Sequence, residues 1–498
     1  MTTGIRINRN VLARLLAVTV ILWIVWLPVV TSGNIRMDSD RMIHTPDIAL
    51  TQYIQEGRGA LVWLLRLFGL SVWNPVRSGV LFLVFFSISC WMLYFALRRL
   101  TGWEGLYPEL FLLLYGLSPL WAYHGYFVVQ ITAIGFGMML AVMTARLDIR
   151  MIRQHSFHPV RLLWEAAAAV ILAFILLIYQ SLIVCWLATL LMLLFCDLLK
   201  GGRMKWRKLI PFVLRLLVSL AVYYAVSRLL RGDMGSGNME NQIRWGTDSF
   251  THCLLRVAEE IGATLLMYTS RYFSLYTLGA VLIILLLVRR RKAGFGLNPW
   301  LVAVCLGMLL LPFGLSVLLG NVTVPRSQFA LQMTAAFFPV CYLAEAKGKH
   351  RVLCAVCILA VILSAALSLR LYHTDCVRNE QDTAAAEAIT SELEDLDTSK
   401  PLAFVGVQRM EDHLFLTEKS DVYGRSFFEW IYSPDRPTSS TVPALRLLTA
   451  FSGKLYEGIN SSKQVQKAAL AAKDMPAYPS PGFVREEADM IVIKLSDP

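Results

Sequence analysis

Residues 162–199 read LLWEAAAAVILAFILLIYQSLIVCWLATLLMLLFCDLL, 38 positions whose only charges are Glu165 and Asp197, near the two ends. As one helix this stretch would be about 57 Å long at about 1.5 Å per residue. That is nearly twice the roughly 30 Å hydrocarbon core of a bilayer. Two spans that turn back at Tyr179-Gln180 remove the mismatch. The same rule, about 20 largely apolar residues per span, picks out nine further stretches: 11–30, 76–97, 106–123, 126–145, 209–228, 272–288, 299–319, 329–344 and 352–372. The expected fold class is an α-helical polytopic membrane protein of about eleven transmembrane helices. Residues 1–30 read as an uncleaved first span, because no small-residue cleavage site stands out before Asn34.

Composition agrees. The chain has 498 residues, is 56% hydrophobic and only 16% charged, and carries a net charge of +12. Soluble domains hold about 25% charged residues. The sign of the charge splits at Tyr372. Residues 373–498 hold 13 Lys and Arg against 20 Asp and Glu, and residues 1–372 hold 34 against 15. The basic excess lies wholly in the apolar part, which argues against nucleic acid as a partner and for a lipid bilayer. With the N-terminus in the cytoplasm, clusters such as Arg98-Arg99, Arg146 to Arg161, Lys200 to Lys208 and Arg289 to Lys292 all face inward. The N-terminus is therefore expected inside and the C-terminal region outside a bacterial plasma membrane.

Two domains are expected: a multi-span domain over 1–372, with an outer loop at 31–75 as its catalytic segment, and a small extracytoplasmic α+β domain over 373–498. In the second, PLAFVGV (401–407) and ADMIVIKLS (488–496) read as strands. Residues 377–396, 442–452 and 463–473 read as helices. Phe427, Phe428 and Trp430 read as core. No Gly-rich phosphate loop, metal-ligand cluster or GxSxG motif is present, and the CxxC at Cys354 and Cys357 lies in an apolar helix as packing.

The outer segments hold the polar chemistry. The loop after the first span contains Asp38, Asp40, Asp47 and Glu56, then Gly57-Arg58-Gly59; residues 60–75 read as a helix lying in the interface. A carboxylate near an attacking hydroxyl can act as general base, and an Arg can hold a phosphate with matching bidentate geometry. Water-facing acids are also often merely solvated. Tyr179-Gln180 could contact a sugar or phosphate, or simply anchor the interface. Arg326 could bind phosphate or snorkel, as could Arg244 and Arg271. His124 reads as a local hydrogen-bonding residue. No ionisable residue is expected mid-span in the first ten spans, which speaks against an ion-coupled transporter.

These pieces together resemble the bacterial serotype-converting glucosyltransferase family, GtrII-like, within the multi-span GT-C glycosyltransferases. The resemblance rests on MDSDRMIHTPDIALTQYIQEGRG (37–59), LIYQSLIV (177–184), YGRSFFEW (423–430) and MPAYPSPGFVREEADMIVIKL (475–495), in that order. It implies a GT-C-like fold and transfer of a sugar, commonly glucose, from a polyprenyl-phosphate donor to a surface-glycan acceptor outside the membrane. It also implies a small flippase and a donor-making synthase as upstream partners. It implies Asp38 as base with Asp40 second, since Ser39 separates two acids that are adjacent in some members. Arg58 and Arg326 would hold the donor phosphate, and Tyr179 and Gln180 would contact sugar or phosphate. A lipid-monophosphate donor demands no metal, so neither metal nor cofactor is expected. A lipid-linked glycan flippase and a surface-polysaccharide polymerase are the alternatives.

Overall fold

The computed structural model describes residues 9–153, 159–202, 204–232, 234, 242–266, 275–294, 298–346, 350–411, 417–429 and 442–497. Arg271, Trp430, the Gly/Asn-rich loop at 235–241 and the start of the expected span 272–288 lie outside them. The helices are α1 (Arg9–Thr31), α2 (Ser39–His44), α3 (Pro46–Gln55), α4 (Gly59–Leu67), α5 (Pro75–Thr101), α6 (Tyr107–Gly116), α7 (Leu120–Tyr126), α8 (Val128–Arg153), α9 (Pro159–Ile178) and α10 (Leu182–Leu199). They continue as α11 (Ile210–Arg231), α12 (Phe250–Leu266), α13 (Tyr276–Lys292), α14 (Pro299–Leu319), α15 (Phe329–Glu345), α16 (Arg351–Glu392), α17 (Val442–Ser452) and α18 (Ser462–Ala471). The strands are β1 (Leu402–Val405), β2 (Val484–Glu486) and β3 (Ile491–Lys494).

Among the described residues, seven helices are long and apolar enough to cross a membrane: α1, α5, α8, α10, α11, α14 and α16. The protein is a multi-pass membrane protein. Among the described residues, the other expected spans are not helices of that length. The expected span 106–123 is broken at Ser118-Pro119 into α6 and α7, because proline removes a backbone donor and disfavours helix before it. Phe329–Glu345 and Leu162–Ile178 are shorter apolar helices. The turn between α9 and α10 falls at Tyr179-Gln180, where the Leu182 N–H donates to the Tyr179 carbonyl at 2.9 Å.

The chain divides into two compact units. One comprises Met1–Thr31 and Leu50–Ser368, the other Ser32–Ala49 and Leu369–Pro498. The loop 31–75, read from sequence as one piece, is thus shared between them. In the first unit α5 packs on α8, α8 on α10, α9 on α11 and α13 on α15. The expected interfacial helix is the nine-residue α4; Leu61, Leu64 and Leu65 are buried, whereas Trp63 and Leu67 are exposed.

The second unit holds a three-stranded sheet in the order β1-β3-β2, with β1 parallel and β2 antiparallel to β3. Alternate residues of each strand point to opposite faces. Leu402, Phe404, Ile491 and Ile493 join Phe427, Phe428, Leu447 and Leu448 in one core cluster. Ala403, Val405 and Val492 join Ala468, Ala472 and Met475 in the other. A sheet covered on both faces explains why β1 is apolar at every position and β3 at all but its last, Lys494. The last expected span and the helix expected at 377–396 are one continuous 42-residue helix, α16.

Candidate functional site

Two clusters carry the candidate residues, one in each unit. In the first unit the chain leaves α3 through a tight reversal at Gly57. The Gly57 N–H donates to the Ile54 carbonyl at 2.9 Å and the Arg58 N–H to the Tyr53 carbonyl at 2.8 Å. This pair of bonds closes a helix C-terminus and requires left-handed backbone at its pivot. Gly57 supplies it, with φ of 75°. A side chain there would also meet Tyr223, whose Oη lies 2.7 Å from where a Cβ would stand. The reversal delivers Arg58 at the start of α4.

Arg58 is enclosed by groups from α8, the α3–α4 turn and the α9–α10 turn. Its Nη1 donates to Gln130 Oε1 of α8 at 3.1 Å and lies 3.3 Å from the Glu56 carboxylate. Its guanidinium stands 4.9 Å over the Tyr179 ring. Gln180 Nε2 donates to the Glu56 carbonyl at 2.9 Å and to Tyr223 Oη of α11 at 2.9 Å. Tyr179 is therefore a buried platform for the cation, not an interfacial anchor, with 6% of its surface exposed. Arg58 Nε is buried without a hydrogen-bond partner. A buried donor left unpaired is costly, which suits a site that awaits an anionic oxygen.

Arg326 sits in the turn before α15, its guanidinium 4.4 Å from the Phe127 ring centroid. It is linked to Tyr179 through an aromatic group. The His124 ring lies 4.9 Å from Phe329 and 6.5 Å from Tyr179, and Tyr179 lies 6.5 Å from Phe329. His124, expected as a local hydrogen-bonding residue, is fully buried beside the Arg326 backbone, and neither ring nitrogen meets ordinary hydrogen-bond geometry. The turn is held by Glu260 of α12. Its carboxylate accepts from the Thr323 N–H at 3.2 Å, the Thr323 hydroxyl at 3.0 Å and Gln328 Nε2 at 2.7 Å.

Asp38 and Asp40 belong to the second unit. Asp38 caps α2 with φ of 72°, a conformation uncommon outside glycine but best tolerated by Asp and Asn. The Arg36 carbonyl closes the turn, accepting from Ser39 N–H at 3.1 Å and Asp40 N–H at 3.3 Å. Arg36 anchors it: Nε donates to Asp375 Oδ2 at 2.7 Å. Asp375 also accepts from Arg378 Nη2 at 2.8 Å and Asn34 Nδ2 at 2.8 Å. Arg378 Nη1 donates to Asp382 at 3.1 Å, and Asp382 accepts from Ser426 as well. Arg36, Asp375, Arg378 and Asp382 are all buried. Burial pushes Asp375 up, but Arg36 and Arg378 beside it outweigh that and hold it below the ordinary range.

Asp40 is buried, and burial pushes its carboxyl up to about 6 against the pull of Arg446. Arg446 Nη1 lies 3.8 Å from Asp40 Oδ2. A carboxylate poised near neutrality suits a general base better than an ordinary one.

Several of these partners went unread in the sequence. Arg446, Gln130 and Tyr223 offered no local signal. Glu260 did, because it falls on the buried stripe of α12 with Cys253, Val257 and Thr264, the spacing of a core-facing helix side. One expectation is corrected. Arg215 lies inside the apolar stretch 209–228 and is buried, donating to Asp148 at 2.8 Å and Glu165 at 3.1 Å. The carboxylates of Asp148 and Glu165 answer its charge.

Among solved structures the chain is similar to ArnT from Cupriavidus metallidurans, crystallised bound to undecaprenyl phosphate. The identity is 12% and the TM-score 0.45, over 93% of this chain and 88% of that one. No curated protein matches the chain. Residues 27–343 match the family described as Glucosyl transferase GtrII. That stretch is well over half of the sequence and includes Asp38, Asp40, Arg58, Tyr179, Gln180 and Arg326. The chain belongs to the GtrII glucosyl transferase family.

Proposed function

We propose that this membrane glycosyltransferase moves glucose from a polyprenyl-phosphate donor to a surface glycan on the outer face of the membrane. The observation that carries the reading is the enclosed Arg58, cradled by Glu56, Gln130 and Tyr179 with one donor still unpaired. A planar cation fits a phosphate bidentately. Arg58 holds the donor phosphate, with Arg326 as a second cation and Tyr179 and Gln180 as contacts for sugar or phosphate. Undecaprenyl phosphate in the ArnT crystal is a ligand of the same chemical class.

An acceptor hydroxyl attacks the anomeric carbon. Asp38 or Asp40 takes its proton, the bond from that carbon to the phosphate oxygen breaks, and the polyprenyl phosphate leaves with the electron pair. No metal is needed to neutralise a monophosphate flanked by arginines. The basic inner loops support an N-terminus inside and the second unit outside.

The test is transfer from undecaprenyl-phosphate glucose to isolated surface glycan by the full-length protein in detergent. One added glucose per acceptor is expected, lost in Asp38→Asn or Asp40→Asn and in Arg58→Ala. A lengthening ladder of products would favour a polymerase. Movement of labelled lipid across vesicles without transfer would favour a flippase.

A further inference from the structure

The acidic turn and the C-terminal segment are parts of one unit, and their contact has a chemical consequence. Helix α2 packs against α17. Asp40 is 5% exposed, and its Oδ1 has no hydrogen-bond partner. Arg446 is the one charged residue of α17, VPALRLLTAFS. Its Nη1 lies 3.8 Å from Asp40 Oδ2, and its side chain is 32% exposed. Among the described residues, the other charged groups that bear on Asp40 are Asp38 and Arg41 on its own side. The nearby like charge of Asp38 makes a facing cation all the more necessary.

We propose that Arg446 is a positioning residue for the base: from the C-terminal segment it keeps the Asp40 carboxylate ionised and oriented. This rests on the reading that Asp40, alone or with Asp38, deprotonates the acceptor. Arg446 lies beyond residues 27–343, the part shared with the family. The C-terminal segment is therefore a component of the reaction centre and not only a platform for the acceptor. Burial alone would leave Asp40 protonated and inert as a base. A guanidinium opposite it offsets that, and the planar fork also restricts where the carboxylate points.

The experiment follows Asp40 protonation directly in the full-length protein. Infrared difference spectra against pH detect the carbonyl stretch of a protonated acid, assigned to Asp40 by its disappearance in Asp40→Asn. In Arg446→Gln the midpoint is expected to rise by about one pH unit, the low end of what an opposite charge contributes. The acid limb of kcat/KM for transfer from undecaprenyl-phosphate glucose should move with it. Arg446→Lys, which keeps the charge, should restore most of the midpoint and only part of the rate. An unmoved midpoint in folded Arg446→Gln overturns the inference, and Arg446→Met, which also removes the charge but keeps an apolar stem, supplies the same comparison should the Gln variant not fold. A midpoint that moves while the acid limb stays fixed overturns the base reading instead, since Arg446 would then govern a carboxyl that the reaction does not use.

Discussion

The guanidinium of Arg36 lies 2.7 Å from the carboxylate of Asp375, across 339 residues of sequence, with both side chains withdrawn from water. One partner sits two residues before Asp38, the other in the middle of α16. The pair therefore sets where the acidic turn is held.

Breaking that pair should be far worse than replacing it. Losing one partner of a buried ion pair costs about 3–5 kcal/mol, whereas an apolar exchange of both is often neutral. Arg36→Met and Asp375→Leu are each expected to lower the thermal midpoint of the purified protein sharply. The double variant should recover much of the loss in stability but not in transfer, because Arg378 loses its Asp375 partner and the turn loses its anchor. Thermal unfolding in detergent, read beside the transfer assay, checks both.

Asp40 sets a pH dependence with a definite sign. Its carboxyl is raised from 3.8 to about 6, so the folded protein binds a proton there that the unfolded chain has already released. Stability from this group is complete below pH 4 and is lost as pH climbs through 6. Asp40→Asn should thus match the wild type near pH 4 and exceed its stability at pH 7.5. Its transfer should fall about 100-fold or more, the size expected of a missing general base. Equal stability of the two proteins at pH 7.5 would contradict the buried, raised acid.

Gly57→Ala should damage the reversal in two ways. The backbone there is left-handed, and a Cβ would stand 2.7 Å from Tyr223 Oη. Left-handed backbone costs a non-glycine residue about 1–2 kcal/mol. Tyr223→Phe in the same chain removes the steric part, together with the acceptor of Gln180 Nε2, which Tyr223→Phe alone measures. The double variant is expected to lie between Gly57→Ala and wild type in thermal midpoint, which a double-mutant cycle would measure.

Arg58→Lys is not a conservative change. A point charge cannot reproduce the planar fork or stack on Tyr179 as the guanidinium does at 4.9 Å. We expect kcat/KM for the lipid-linked donor to fall about 10-fold, on the scale of one lost charge-assisted hydrogen bond of about 1.5–3 kcal/mol. Arg58→Ala should fall further, with thermal stability little changed. Titration of donor concentration separates the affinity effect from turnover.

Glu260→Ala should act at a distance through Arg326. Three donors, Thr323 N–H, Thr323 hydroxyl and Gln328 Nε2, would lose their common acceptor. Unsatisfied buried donors cost about 1–3 kcal/mol each, so the turn carrying Arg326 should loosen. Donor KM is expected to rise as it does in Arg326→Ala, and combining the two changes should add little.

What could be read in the sequence was whatever depends on neighbours along the chain. The two-span reading of 162–199 and the turn at Tyr179-Gln180 follow from helix rise against membrane thickness. The apolar strands at 402 and 491 follow from a sheet covered on both faces. The left-handed pivot at Gly57 follows from the absence of a Cβ. Arg378 and Asp382 follow Asp375 by three and seven residues, a spacing that puts all three on one helix face. The break at Ser118-Pro119 was equally local, and it was hidden only by the continuous apolarity of 106–123.

Tertiary structure alone decided which polar groups answer one another. The sequence left Asp38 and Asp40 between a catalytic pair and solvated acids in an outer loop. Their turn is roped to α16 by Arg36 and faced by Arg446, 406 positions downstream of Asp40. Arg58 was expected at the donor phosphate, but only the tertiary structure shows Gln130 of α8, Tyr179 of the α9–α10 turn and Tyr223 of α11 gathered around its turn. Helix and span propensity act over a few residues and leave a periodic trace. The pairing of buried charges acts over ångströms in space, and the chain that joins the partners leaves no trace of it.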